Sequence, residues 1–150
     1  MKGYTENNIV ILGNPNEIFD LTNDVKQWSE LFDEYEKVDV LRHENNVIVF
    51  KLTTGTGKSW ISERKVNRTS MMANAKRIEP LFPFKEMSIT WKYEELPQEI
   101  GVIMTWIQEF EVDPKCSHDV YDMESYLNRT TRHEMKSVKQ NVERILHEKS

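Results

Sequence analysis

Only one cysteine and five glycines occur in 150 residues, so the chain has few of the residues that cross-link it or free its backbone. The lone thiol, Cys116, closes no internal disulfide, and with no second cysteine it gives no thiolate metal site; it reads as an incidental loop residue. Long apolar runs are missing as well. No 18-residue stretch suits a bilayer span, and Met1-Lys2-Gly3-Tyr4-Thr5-Glu6 lacks the apolar segment of a secretion signal, so no membrane association is expected and a cytoplasmic location is. Basic clusters are scarce too. Twenty bases face 25 acids for a net charge of -5, and no run of Lys or Arg is dense enough to follow a phosphate backbone, which argues against nucleic acid as a partner.

Familiar reaction centres are also absent. Gly55-Thr56-Gly57-Lys58-Ser59 lacks the first glycine of a phosphate-binding loop and follows no strand–helix unit. The four histidines, His43, His118, His133 and His147, are not at metal-ligand spacing. No Gly-x-Ser-x-Gly elbow exists to carry a nucleophilic serine. No metal and no cofactor are therefore expected.

What the sequence does contain is ordinary globular material, 38% hydrophobic and 30% charged, without repeats or a linker. Residues 1–150 read as a single domain, long enough to bury roughly 70% of the surface of its unfolded chain. The β-branched run Asn8 to Leu12 predicts a first strand. Asn14-Pro15-Asn16-Glu17 carries a helix cap, a proline at the first helical position and a glutamate three residues after the cap. Ile18, Leu21, Val25, Trp28 and Leu31 or Phe32 then recur at helical spacing, with Thr22-Asn23-Asp24 as a break between two short helices. From Val38 to Val112 the period changes to two, with turn signals at Glu44-Asn45-Asn46, Gly55-Thr56-Gly57, Asn67-Arg68 and Pro97 to Gly101, predicting a meander of about six antiparallel strands. The sixth, read from Met87, puts Met87, Ile89, Trp91 and Tyr93 on one face; the seventh groups Val102, Met104, Trp106, Gln108 and Phe110. Asp119 to Glu148 holds no Gly or Pro and repeats Met123, Leu127, Thr131, Met135, Val138, Val142 and Ile145 at three- and four-residue steps. It predicts one helix of roughly 45 Å, capped by Asp119 and Asp122. The expected fold is α+β: a curved seven-stranded antiparallel sheet around a long C-terminal helix, two short helices between the first two strands, and an interior cavity that the helix cannot fill.

In the fourth strand, Lys58 to Val66, Trp60, Ser62 and Arg64 share one face. If that face is interior, Arg64 brings a permanent charge into an apolar pocket and requires a partner or a ligand oxygen; the alternative is a solvent-facing arginine or one paired with a structural carboxylate. Tyr35 is placed to hydrogen-bond a carbonyl-bearing ligand or simply to pack. Trp91, Met104 and Trp106 suit either core packing or the flat walls of an aromatic site, and Asn128 either a ligand carbonyl or the surface.

Five stretches taken together, Asn23 to Tyr35, Trp60-Ile61-Ser62-Glu63-Arg64, Ile89 to Tyr93, Trp106 to Phe110 and Tyr126 to Arg132, resemble the monodomain bacterial polyketide aromatase/cyclases of the tetracenomycin type. The resemblance runs nearly end to end. It implies the helix-grip fold of the START and birch-pollen-allergen superfamily. It also implies a cofactor-independent activity: first-ring aldol closure, carbon 9 to carbon 14, and dehydration of a poly-β-ketone carried on an acyl carrier protein and delivered by a minimal polyketide synthase. On the matching positions, Arg64, Tyr35 and Ser62 take the catalytic roles, with Arg64 holding the developing oxyanion and Tyr35 relaying a proton. Trp28, Trp60, Trp91, Trp106, Gln108 and Asn128 take substrate-binding positions, and Met104 is counted with them from its place on the Trp106 face of the seventh strand. Glu63 stands where the family carries a histidine, and the Thr53 to Lys58 loop is short. Lys58, Lys65, Arg68 and Lys76 are candidates for a basic patch facing an acidic carrier protein. A monomer or weak dimer is expected. The alternative function is non-catalytic binding or transport of a lipid, quinone or aromatic product in the same cavity, since fold alone does not fix a reaction.

Overall fold

The computed structural model describes residues 2–79 and 82–149. In chain order they form β1 (Lys2–Leu12), α1 (Pro15–Asn23), a 3-10 turn (Val25–Gln27), α2 (Trp28–Leu31), β2 (Tyr35–Glu44), β3 (Val47–Thr54), β4 (Ser59–Asn67), β5 (Met72–Arg77), β6 (Phe84–Glu95), a second 3-10 turn (Pro97–Glu99), β7 (Gly101–Val112) and α3 (Val120–Lys149). The strands make one antiparallel sheet in the order β1-β7-β6-β5-β4-β3-β2, a meander whose only non-sequential neighbours are β1 and β7. This is the helix-grip arrangement expected from the sequence.

The helix starts follow the predicted chemistry. Asn14 Oδ1 accepts from the Glu17 amide at 3.1 Å, and Asp119 Oδ1 accepts from the Asp122 amide at 2.8 Å, satisfying amides that have no partner within their own helix. Asp24 ends α1 in extended backbone and its side chain accepts from the Lys26 amide, so the chain turns there into the 3-10 segment and α2.

Three strand starts differ from expectation, β2 beginning at Tyr35 and not at Val38. β1 begins at Lys2, not Asn8, and pairs with β7 from Lys2↔Glu111 to Leu12↔Gly101. Its inward residues over the first half are Gly3, Thr5 and Asn7, so the usual apolar alternation is missing although the strand is complete. Gly3 is required there: a Cβ would lie 2.3 Å from the Phe110 ring that covers it. β6 likewise starts at Phe84, three residues before Met87, with a bulge between Phe84 and Glu86 that interrupts the period-two pattern.

α3 runs along the β1 edge of the sheet, and its side chains satisfy the free backbone groups of that strand. Glu124 accepts from the Tyr4 amide and Glu143 from the Leu12 amide, each at 2.8 Å, while Lys139 Nζ donates to the Val10 carbonyl at 2.7 Å. An edge that would otherwise template pairing with another chain is thereby closed. Inside, one cluster gathers α1, α2 and the sheet on the second half of α3, through Ile18, Phe19, Leu31, Phe50, Trp91, Met135, Val138 and Val142. A smaller cluster, Phe84, Met87, Phe110, Val112, Val120, Met123 and Leu127, packs the first half. The cavity lies between the two.

Glu124→Ala combined with Glu143→Ala is expected to lower stability by about 1–2 kcal/mol, the usual worth of such hydrogen bonds, and to produce concentration-dependent association. Denaturant titration and light scattering measure both; a monodisperse variant of undiminished stability contradicts the edge-capping role.

Candidate functional site

The cavity occupies about 600 Å³, and its wall combines aromatic rings with a few polar groups. Period two in β4 turns Trp60, Ser62 and Arg64 inward, and all three line it. Arg64 is 1% exposed. It has no carboxylate partner among the described residues; its Nε and Nη2 both donate to Asn23 Oδ1, at 3.1 and 2.7 Å. Its guanidinium carbon sits 4.1 Å from the Trp91 ring centre and 5.2 Å from that of Trp28. Asn23 is in turn fixed from the other side, its amide donating to the Phe19 carbonyl and to Tyr93 Oη, which also shares a 2.6 Å hydrogen bond with Thr22. Neutral amide and phenol dipoles thus position a full charge without neutralising it.

Burial pulls the Arg64 pKa down to about 10, with the nearby tyrosines opposing the shift. A base whose folded pKa is depressed gives up its proton first in the folded state, so stability would rise as pH climbs from about 10 toward the ordinary value. At neutral pH the charge is retained against the preference of the fold. Such a group is weak evidence for stability and stronger evidence for a ligand.

Trp91 and Trp106 stack at 4.3 Å and 8°, Trp28 stacks on Trp91 at 5.6 Å, and Tyr35 on Trp28 at 6.0 Å, giving the cavity a flat aromatic wall. Tyr35, the first residue of β2, has its phenol pKa pushed well above 10 by burial and then by the Glu34 carboxylate, through its charge and a hydrogen bond, so it stays a hydrogen-bond donor with Glu34 as its acceptor. Trp106 Nε1 is buried with no hydrogen-bond partner. Gln108 Oε1 accepts from Thr5 at 2.7 Å and Thr131 at 3.0 Å, leaving the amide nitrogen for the cavity that Gln108 lines. The wall is rich in donors.

Eight of the ten residues singled out in the sequence, Trp28, Tyr35, Trp60, Ser62, Arg64, Trp91, Trp106 and Gln108, converge on this one cavity. Two do not. Met104 is fully buried in the main core, behind the wall. Asn128 lies on the side of α3 that faces β1, where its Oδ1 accepts from Asn7 Nδ2 at 2.8 Å, and Asn7 is bound in turn by Arg132. Of the four basic candidates, Lys58 and Lys76 lie at the mouth, Lys65 is exposed on the outward face of β4, and Arg68 pairs with Asp20.

Sequence reasoning missed Asn23 and Tyr93 as the groups that hold Arg64. Tyr93 was on the right face, two residues from Trp91, but nothing in periodicity pairs it with a helix end. It also missed an acidic group at the mouth: Asp33, Glu34 and Glu134, opposite Arg77, whose guanidinium lies 4.8 Å from the Trp60 ring. Glu134 stands three and seven residues beyond Thr131 and Leu127 on the inward stripe of α3, and a carboxylate in that stripe was the available signal. Burial, then Glu34 and Asp33, raise its pKa to about 7.

Residues 13–137 match the family described as "Polyketide cyclase / dehydrase and lipid transport". A Streptomyces cyaneus protein named "Putative polyketide cyclase" is 37% identical over 150 residues, covering 97% of each chain. Among solved structures, the Zhui aromatase/cyclase from Streptomyces sp. R1128 superposes with a TM-score of 0.84 at 16% identity, covering 96% of this chain and 95% of its own. A START superfamily protein from Mycobacterium smegmatis does so with a TM-score of 0.78 at 13% identity, covering 95% and 98%. A cavity-enclosing helix-grip domain with a buried cation is the class that fold and site define, and the chain belongs to the polyketide cyclase/dehydrase family. Among the described residues no helix is long and apolar enough to cross a membrane.

Two outcomes are expected. Asn23→Asp places a carboxylate on Arg64 at the loss of the donor to the Phe19 carbonyl and Tyr93, so the folded variant should bind anionic or enolised aromatic ligands at least tenfold more weakly by calorimetry; unchanged affinity contradicts an unneutralised charge as the binding group. Glu134, raised in the folded state, keeps a proton between about pH 4.5 and 7 that the unfolded chain has released, so its contribution to stability falls as pH rises through that window. Glu134→Gln should therefore unfold at a higher temperature than the wild type at pH 8, with the difference lost at pH 5.

Proposed function

We propose that this protein is an aromatase/cyclase that folds a carrier-bound poly-β-ketone in its cavity, promotes the first-ring aldol closure between carbon 9 and carbon 14, and dehydrates the product to an aromatic ring. The observation that carries this reading is Arg64, a buried guanidinium held by Asn23 and two indole rings with no carboxylate to neutralise it. A passive apolar carrier has no use for that charge, whereas an aldol closure develops negative charge on oxygen at a fixed place.

The chemistry follows from the groups present. A carbon between two ketones is already acidic, so closure chiefly requires one chain conformation and stabilisation of the enolate and alkoxide oxygens. Arg64 supplies the charge, while the Tyr35 phenol, Trp106 Nε1, the Gln108 amide and Ser62 are donors for a chain whose polar atoms are nearly all acceptors. The wall formed by Trp28, Trp91 and Trp106 matches the flat ring that results. Arg64 holds its proton too firmly to transfer it near neutral pH, so its part is electrostatic. Lys58, Lys76 and Arg77 at the mouth would meet the acidic carrier.

The test is product analysis by mass spectrometry and NMR after a minimal polyketide synthase is reconstituted with the wild-type protein, with Arg64→Met and with no addition. The wild type should replace spontaneous shunt products by one regular first-ring aromatic, and Arg64→Met, which substitutes an apolar side chain of similar length, should lose about 10²-fold or more of that activity, in the range reported for losing one oxyanion-stabilising group. An unchanged shunt mixture with folded wild-type protein would favour binding or transport.

A further inference from the structure

The proposed reaction has two halves with different needs, and the groups described so far serve only the first. Ring closure requires oxyanion stabilisation, which Arg64 provides. Loss of water requires a group that gives a proton to a departing hydroxyl and takes one from carbon, and it must change protonation state near the working pH. Neither Arg64 nor Tyr35 does so; both keep their protons through the neutral range. Histidine, the usual choice, is absent from the cavity wall: His133 points outward from α3 and pairs with Asp33 at 3.2 Å with most of its side chain in solvent.

We propose that Glu134 is a catalytic residue of this cavity: its carboxyl hands a proton to the hydroxyl that leaves when the first aldol ring is dehydrated, and receives the proton released from the adjacent carbon. The inference rests on the cyclase reading above and adds a residue to it.

Three observations place Glu134 in that role. It is on the inward stripe of α3 with Leu127, Thr130 and Thr131 and lines the same cavity as Arg64. Its Oε2 is buried without a hydrogen-bond partner, although a structural glutamate beside a helix's exposed face would ordinarily turn to solvent. The second unpartnered buried polar atom among the described residues, Trp106 Nε1, belongs to a residue of the same wall that is 5% exposed, so the unmet hydrogen-bonding capacity is gathered in one cavity. The groups around Glu134 explain why it can hold a proton there. Glu34 and Asp33, from the segment joining α2 to β2, bring negative charge toward it; His133 on α3 and the Asp33 backbone oppose them, and Arg77 from β5 acts on Glu34 and Tyr35 across the mouth. Burial together with two neighbouring carboxylates brings its proton affinity to about pH 7, the range in which one side chain serves as acid and then as base.

The step balances without any other reactant. In the cyclic aldol the hydroxyl-bearing carbon adjoins a C–H flanked by carbonyls. The Glu134 carboxyl protonates the hydroxyl, the C–O bond breaks, and water departs with its electron pair. The C–H electrons form the new C=C, and the Glu134 carboxylate takes that proton and returns to its starting state. Arg64 holds the carbonyl oxygen that draws electron density from the C–H bond.

The experiment compares the wild type with Glu134→Gln in the reconstituted synthase assay between pH 6 and 8.5, alongside titration of the carboxyl carbons of 13C-labelled wild type by NMR. Glu134→Gln should still close the ring but dehydrate it about 10²-fold more slowly, accumulating the hydroxylated ring, and should lose the wild-type pH dependence near 7. A wild-type carboxyl signal titrating near pH 7 and absent from the variant is the second expected result. Wild-type dehydration and pH profile in Glu134→Gln overturn the proposal while leaving the cyclase reading intact, as does the absence of any carboxyl titrating above about pH 5.5. Failure of the wild type itself to close a ring overturns the cyclase reading and this inference with it.

Discussion

A single hydrogen-bonded amide, Asn23, decides what the interior of this protein can be. It takes two donors from Arg64 and gives its own to Phe19 and Tyr93, and it can do so only because α1 stops where it does. Were the helix to continue past Asp24, the α2 segment would not fold back, and Trp28 would not reach the guanidinium. The network joins residues of α1, α2, β4 and β6, so one buried charge links the helical layer to the middle of the sheet. Several kcal/mol of desolvation is the usual cost of such a charge, and hydrocarbon of similar volume generally fills the space at least as well. Its presence, with no compensating carboxylate, indicates a role other than holding the fold together.

The cavity depends on how the surrounding elements divide their labour. α3 contributes to both apolar clusters and also satisfies the backbone of β1, so it is fixed along its length while the space beside its middle stays open. The polar wall groups are arranged by residues behind them: Thr5 and Thr131 hold Gln108, and Thr22 with Asn23 holds Tyr93. The cavity wall carries charge of both signs, the Arg64 guanidinium on β4 and the Asp33, Glu34 and Glu134 carboxyls contributed by the α2–β2 segment and α3.

Much of this was legible in the sequence where side chains repeat. Period two in β4 put Trp60, Ser62 and Arg64 on one face, and the three- and four-residue steps from Met123 to Ile145 gave α3 to within a residue of each end. β1 was read short because Gly3, Thr5 and Asn7 point inward without being apolar, and their burial depends on Phe110 and on Asn128 and Arg132 of α3, far away in sequence. Met104 and Asn128 show the complementary limit. Met104 was placed by its strand face and Asn128 by its helix face and by resemblance, but whether a residue touches the cavity or the packing behind it depends on tertiary neighbours, such as Asn7 for Asn128. Glu134 and Asn23 are polar groups whose meaning comes from partners about a hundred and about forty residues away, and periodicity carries no information about those pairings.

The Trp91–Trp106 pair has an optical consequence. Two indoles 4.3 Å apart and within 8° of parallel are close enough for their electronic excitations to couple, with a circular-dichroism signal whose size and sign follow the twist of one ring over the other. A flat guest lying against the pair, or prying it apart, would change that coupling directly. A change in that signal on adding a flat aromatic ligand would report contact with the Trp91–Trp106 wall without a label.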